Sequence, residues 1–301
     1  MTSLSKSAPR NASIGSVSTG RKVKDRVVQG LVYVAFALAV IPLISVLYTV
    51  IVNGAKRFDA QFFQFSMNGV AGKDAGGGAY HAIIGTLEQV AITTVIAVPI
   101  AVMTAVYLIE YGDNKRLAKT ISFFVDVMTG IPSIVAGLFI LALWLLTFGF
   151  EYSGLAGSFA LTILMIPTVV RATEEMLKLV PNDLREASYA LGVPRWRTVC
   201  FVVLPTALTG IITGVMLAIA RVMGETAPLI LTIFITKAIN TNPLDGPQGS
   251  LPTFIWDQAA DPNQNAIDRA WAGALTLIVI IMLLNLGARF VARRFKPRAG
   301  R

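Results

Sequence analysis

The chain has 301 residues, 54% of them hydrophobic and only 14% charged, with a mean hydropathy of +0.66; soluble domains carry roughly 25% charged residues, so a soluble globule is excluded. The net charge of +9 would fit nucleic acid on a basic soluble face, but here it sits between apolar runs. A single cysteine, Cys200, excludes an intrachain disulfide and a thiolate metal cluster, and a single histidine, His81, excludes a multi-histidine metal site.

In chain order, residues 1–26 are rich in Ser, Lys and Arg and are expected to form a disordered basic tail. Residues 15–22 imitate a phosphate loop, but Arg21-Lys22 stands where Lys-Ser/Thr is required and no strand precedes it, so nucleotide binding is excluded. Residues 27–52 carry no charge and are long enough to cross the roughly 30 Å of a bilayer's hydrocarbon core. The run is too long and too late for a cleaved signal peptide. A Gly-rich loop (53–80) follows, then a second span (86–109) and a charged turn (110–119). The third span (120–149) carries Asp126 and a break at Gly130-Ile131-Pro132. The fourth (154–170) is expected to break at Ile166-Pro167. Residues 198–236 are apolar apart from Arg221 and Glu225, which fits either one long helix plus a re-entrant piece or two spans. A polar loop (237–269), a last span (270–288) and a basic tail (293–301) complete the chain.

The distribution of Lys and Arg decides between six and seven spans. The N-terminal tail, the 110–119 turn, the loop around 171–197 and the C-terminal end from Arg289 onward together hold 20 of them, against 5 in the alternate loops. Only six spans, with both termini cytoplasmic, keep all the basic segments on one side. The expected fold is therefore all-α and integral to the membrane, with a transmembrane domain over 27–292.

Between the fourth and fifth spans lies Glu186-Ala187-Ser188-Tyr189-Ala190-Leu191-Gly192, then nine residues, then Val202-Val203-Leu204-Pro205. Asp183 is placed to cap a short helix, with Glu186 three residues on in a capping-box spacing. Gly192 stops that helix and Pro194 opens the next. A DNA-binding helix-turn-helix has a similar outline, but its recognition helix needs a polar face; this one runs into Val199, Phe201, Val202, Val203 and Leu204.

Gly210, Gly214, Ala218, Arg221 and Glu225 fall on one helical stripe. Small residues spaced by four allow close helix approach, and both charges are expected to face the bundle interior, paired at i, i+4. Arg221 offers an oxyanion a fixed charge and a planar donor fork. Asp126 is expected to pair with Arg221 or another subunit, while Arg171 and Glu88 are expected to snorkel. Scattered carboxylates, one His and one Cys offer no constellation for a membrane enzyme.

The spacing E-A-x, three residues, G, nine residues, V-x-L-P resembles the EAA loop of bacterial ABC-importer permeases, with Ser188 for the second Ala and Val202 for Ile. Gly130 to Gly137, Arg171-Ala172-Thr173-Glu174-Glu175 and Arg221-Val222-Met223-Gly224-Glu225-Thr226-Ala227-Pro228 are similar to the PstA-type permeases of the high-affinity phosphate ABC importer. That resemblance implies a type I importer fold and an ATPase-docking loop over 183–205, resting on Asp183, Glu186, Ala187, Gly192 and Pro205. It implies a substrate pathway including Arg221, Glu225, Thr226, Asp126, Pro132 and Ser133, with Arg171, Glu174 and Glu175 as secondary charges. The implied partners are a related PstC-type permease, a PstB-type ATPase dimer and a PstS-type phosphate-binding protein. ATP and Mg would reside on the ATPase and no cofactor on this chain. The EAA loop alone leaves open another oxyanion or small solute.

Overall fold

The computed structural model describes residues 19–113 and 115–294, and every regular element among them is helical. Helix α1 (Thr19–Gly54) begins inside the segment expected to be a disordered tail; residues 1–18 and 295–301 lie outside the described residues. Its portion up to Thr49 is a compact unit of its own. From Val27 that portion is apolar on every side, the pattern of a helix surrounded by apolar groups.

The second unit starts at Val50. It contains α2 (Ala60–Gln64), α3 (Tyr80–Val106), α4 (Arg116–Thr129), α5 (Ser133–Ile140), α6 (Gly154–Lys178) and α7 (Asn182–Ala190). α8 (Arg195–Thr198), α9 (Leu204–Met223), α10 (Ala227–Thr232), α11 (Leu251–Ala260) and α12 (Gln264–Arg294) follow. A π-helical turn, Tyr107–Tyr111, ends α3, and another, Val199–Val203, joins α8 to α9.

α6 is the central helix. Its apolar stretch is 61% buried, against 22% for α3 and for α12. It packs most extensively against α3, whose Ala97, Ala101 and Ala105 are fully buried at four-residue spacing. That row of methyl groups lets the two backbones approach closely. On its other flank α6 meets α9. A Cβ at Gly210 would lie 2.2 Å from Met176 Sδ, and one at Gly214 would lie 2.6 Å from Ala172 Cβ. The small-residue stripe of α9 therefore does seat one helix on another. Leu161, Met165, Val169, Val170, Val203, Ile211 and Val222 fill the core between these helices.

Among the described residues, five helices are long and apolar enough to cross a membrane, and α4 with α5 and its continuation to Thr147 makes a sixth if that bent pair is one span. The bend is 105°. Gly130 closes α4 and Pro132, in extended conformation, starts α5, so both the helical hydrogen bond and the helical backbone are lost there. The break expected at Ile166-Pro167 does not occur: Pro167 lies inside an uninterrupted α6. α6 is the most buried of the long apolar helices among the described residues, and neighbouring helices grip it around the proline. The fourth span accordingly runs on past Val170 to Lys178. The ambiguous 198–236 segment is one span, Arg195–Met223, followed by the short α10.

The Gly-rich loop after α1 is fastened by Arg269 of α12, a fully buried side chain. Its Nη1 donates to the carbonyls of Asp74 and Gly76 at 2.6 and 3.1 Å, and its Nη2 to those of Gly72 and Ala71 at 3.0 and 3.5 Å. Its Nε donates to Gln258 Oε1 at 2.8 Å. Arg269→Met would remove the donor from four partly buried carbonyls, at about 1–3 kcal/mol for each that water does not reach. We expect the 71–76 loop to become a preferred site of limited proteolysis in that variant, with a lowered Tm in detergent. Protection equal to the unmodified chain would show that the loop is held by other contacts.

Candidate functional site

α7 and α8 form a small angle of chain between α6 and α9. α7 starts at Asn182 after Pro181, with no side-chain cap, so Asp183 is not the cap expected of it. It lies in the first turn, where a carboxylate favours the positive end of the helix dipole. Glu186 and Ala187 point outward and are exposed. Around them Leu184, Tyr189, Leu191 and Trp196 are exposed as well, Leu191 to 84%. Gly192 has φ +76°, a left-handed conformation that costs other residues roughly 1–2 kcal/mol. It lets Val193 N–H return to the carbonyl of Ser188 at 3.2 Å. Pro205, the second residue of α9, follows the π-helical turn at a point where its missing N–H is tolerated.

The inner face of α7 is polar. Ser188 and Thr198 share a buried hydroxyl–hydroxyl hydrogen bond of 2.8 Å that ties α7 to α8. An alanine at 188 could not make it, which gives the departure from E-A-A a structural purpose. Arg185, three residues earlier on the same face, reaches Glu110 in the turn that ends α3. Neither Arg185 nor Glu110 was singled out above. The signal was present in the i, i+3 spacing of Arg185 and Ser188, which places both on the side away from Glu186 and Ala187.

A second cluster joins α4 to α6. Arg171 donates to Asp126 and Glu174, and its Nη2 also reaches the carbonyl and hydroxyl oxygens of Ser122, both at 3.1 Å. Arg171 thus does not snorkel free, and Asp126 is paired with it rather than with Arg221. The Glu174 side chain is only 5% exposed, so it needs this cation close by. Glu175 faces outward and pairs with Lys178 at 2.8 Å.

The third group lies at the break between α9 and α10. Gly224 closes α9, and Glu225 and Thr226 follow in the turn before α10. Arg221 Nε stands 3.9 Å from Glu225 Oε1, so the i, i+4 pair forms, loosely. The Arg221 side chain is 61% exposed, against 18% for Glu225. Within this one chain Glu225 is therefore largely enclosed, and Arg221 is not. Pro132 and Ser133 sit at the other break, at the start of α5. The two breaks belong to one assembly, since α5 packs on α10 with Gly137 against Pro228, where an added Cβ would be 2.6 Å from Cα.

Two breaks in the apolar layer, a partly open guanidinium and an exposed helical loop are what a transport pathway with an external drive requires. The model of the family described as "Binding-protein-dependent transport system inner membrane component" matches residues 97–301. The chain belongs to this family. Among its curated relatives is the "Phosphate transport system permease protein PstA 1" of Mycobacterium tuberculosis H37Rv, 45% identical over 91% of this chain and 90% of that protein. The PstA permeases of Mycobacterium leprae and Pasteurella multocida are 45% and 40% identical, over 92% and 89% of this chain and 92% and 94% of theirs. Among solved structures, a chain of a bacterial ABC transporter involved in alginate import superposes with a TM-score of 0.63 over 92% of this permease and 100% of itself, at 15% identity. A chain of the methionine transporter MetNI gives 0.57 over 73% of this permease and 95% of itself, at 22% identity. At those identities the likeness establishes the importer-permease fold.

Proposed function

We propose that this chain is a transmembrane permease subunit of an ATP-driven phosphate importer, forming half of the translocation pathway. The observation that carries the substrate is the 45% identity, over nine-tenths of the chain, to relatives named as phosphate transport permeases. Energy comes from elsewhere: the phosphate-loop imitation at 15–22 lacks the required residues. An ABC ATPase dimer of the PstB type would dock on the exposed face of α7 in the cytoplasm, around Glu186, Ala187, Tyr189 and Leu191. A second permease of the PstC type would complete the channel, and an extracytoplasmic binding protein of the PstS type would deliver phosphate. ATP and Mg belong to the ATPase in this scheme, and this subunit catalyses no reaction.

Phosphate would pass the two breaks, where unwound backbone offers hydrogen bonds, with Arg221 supplying positive charge and Glu225 keeping the anion from binding too tightly. The test is uptake of radiolabelled phosphate at low micromolar concentration in cells depleted of this chain and then complemented. Sulfate and molybdate serve as competitors. Restored uptake that ignores both competitors is expected. Uptake indifferent to depletion would reassign the chain to another solute.

A further inference from the structure

Besides its contact with the Val199–Val203 turn, α7 is held to the transmembrane bundle by one largely buried side chain. Arg185 donates from Nε and Nη2 to a single oxygen of Glu110, at 3.1 and 2.8 Å. The same guanidinium donates to the carbonyls of Val180 at 2.6 Å and Leu177 at 3.0 Å. The two side chains are 13% and 3% exposed. Glu110 lies in the turn that ends α3, and Leu177 and Val180 lie at the end of α6. One planar group therefore joins the loop helix to the ends of the most extensively packed pair of helices in the chain.

We propose that the Arg185–Glu110 pair is the strut through which movement of the exposed loop reaches the α3–α6 pair, and that both are positioning residues for transport. This rests on 183–205 being the ATPase contact. A push on the outer face of α7 is transmitted only through groups that do not yield. The nearby Arg195–Asp113 pair, at 3.9 Å with both side chains exposed, is solvated and screened and would yield. The Arg185 fork, fixed by Glu110 and by the carbonyls of Leu177 and Val180 at and just past the end of α6, cannot rotate without breaking several hydrogen bonds at once. Its charge also suits the negative end of the α6 dipole. Ser188–Thr198, at 2.8 Å, ties α8 to α7, and Arg195 over the ring of Tyr111, at 5.0 Å, sets α8 against the same end of α3 on which the strut bears.

A merely structural pair and a strut differ in what fails. Loss of a structural pair lowers ATP hydrolysis and transport together, in step with the amount of assembled complex. Loss of a strut leaves ATP hydrolysed without phosphate moved. The experiment uses the full complex of both permeases, ATPases and binding protein in proteoliposomes, with phosphate as the transported probe. Glu110→Gln keeps an oxygen acceptor of the same shape and removes its charge. Arg185→Lys keeps the charge and removes the fork, and serves if the first variant assembles poorly. We expect the ATPase subunits to co-purify normally and ATP turnover to persist. Phosphate moved per ATP should fall roughly tenfold, the change that loss of one charge-assisted contact produces. A wild-type ratio of phosphate to ATP in both variants would overturn the strut alone. Glu186→Arg is measured alongside: if it leaves ATPase attachment and coupling intact, the loop assignment falls, and the strut with it.

Discussion

Arg221→Gln is expected to lower phosphate uptake by roughly tenfold to a hundredfold, with insertion and complex assembly unchanged. Hydrogen bonds to a charged partner contribute about 1.5–3 kcal/mol, and each 1.36 kcal/mol is a factor of ten. The side chain is 61% exposed and its pairing with Glu225 is loose, at 3.9 Å, so removing the charge leaves no tightly buried carboxylate behind. The stability cost should therefore be small, and the loss should appear in flux. Initial uptake rates, normalised to membrane-inserted protein, provide the measurement. Glutamine carries no charge and stops about two bonds short of the guanidinium, so normal uptake would confine Arg221 to a structural pair with Glu225. Arg171 provides the contrast. Its loss would leave Glu174 buried without a cation, and failure there would be one of folding.

The second large effect is expected from Glu186→Arg. Glu186 is exposed on α7, and the residues that hold α7 in place, Arg185 and Ser188, are on the opposite face. Reversing the charge should leave this chain folded while placing a cation where a partner groove expects an anion. Like-charge juxtaposition at an interface costs several kcal/mol, enough to reduce uptake by two orders of magnitude or more at the same conversion. Affinity purification through this chain should then recover the second permease with little or no ATPase. ATPase subunits recovered in normal amount, with normal uptake, would remove Glu186 from the docking surface.

What could be read in advance depended on how far apart the interacting residues are in the chain. The apolar runs gave the spans, and Gly130-Ile131-Pro132 gave the sharpest bend, because both are local properties of the backbone. So was the Arg221–Glu225 pair, four residues apart on one helix. Asp126 was assigned the wrong partner because Arg171 lies on another helix, and only the packing of α4 on α6 brings them together. Glu110 and Arg185 escaped notice for the same reason. The proline at 167 misled in the opposite direction: a proline weakens a helix, but whether it breaks depends on the neighbours that grip it, and α6 is gripped on most sides.

The Arg269 clamp has a consequence for conditions outside the protein. Its five acceptors are four peptide carbonyls and one side-chain amide. None of these gains or loses a proton over the range in which proteins remain folded, and a guanidinium effectively never does. A carboxylate in the same place would let go as the medium acidified. The fastening that Arg269 gives the loop is therefore indifferent to pH over that range.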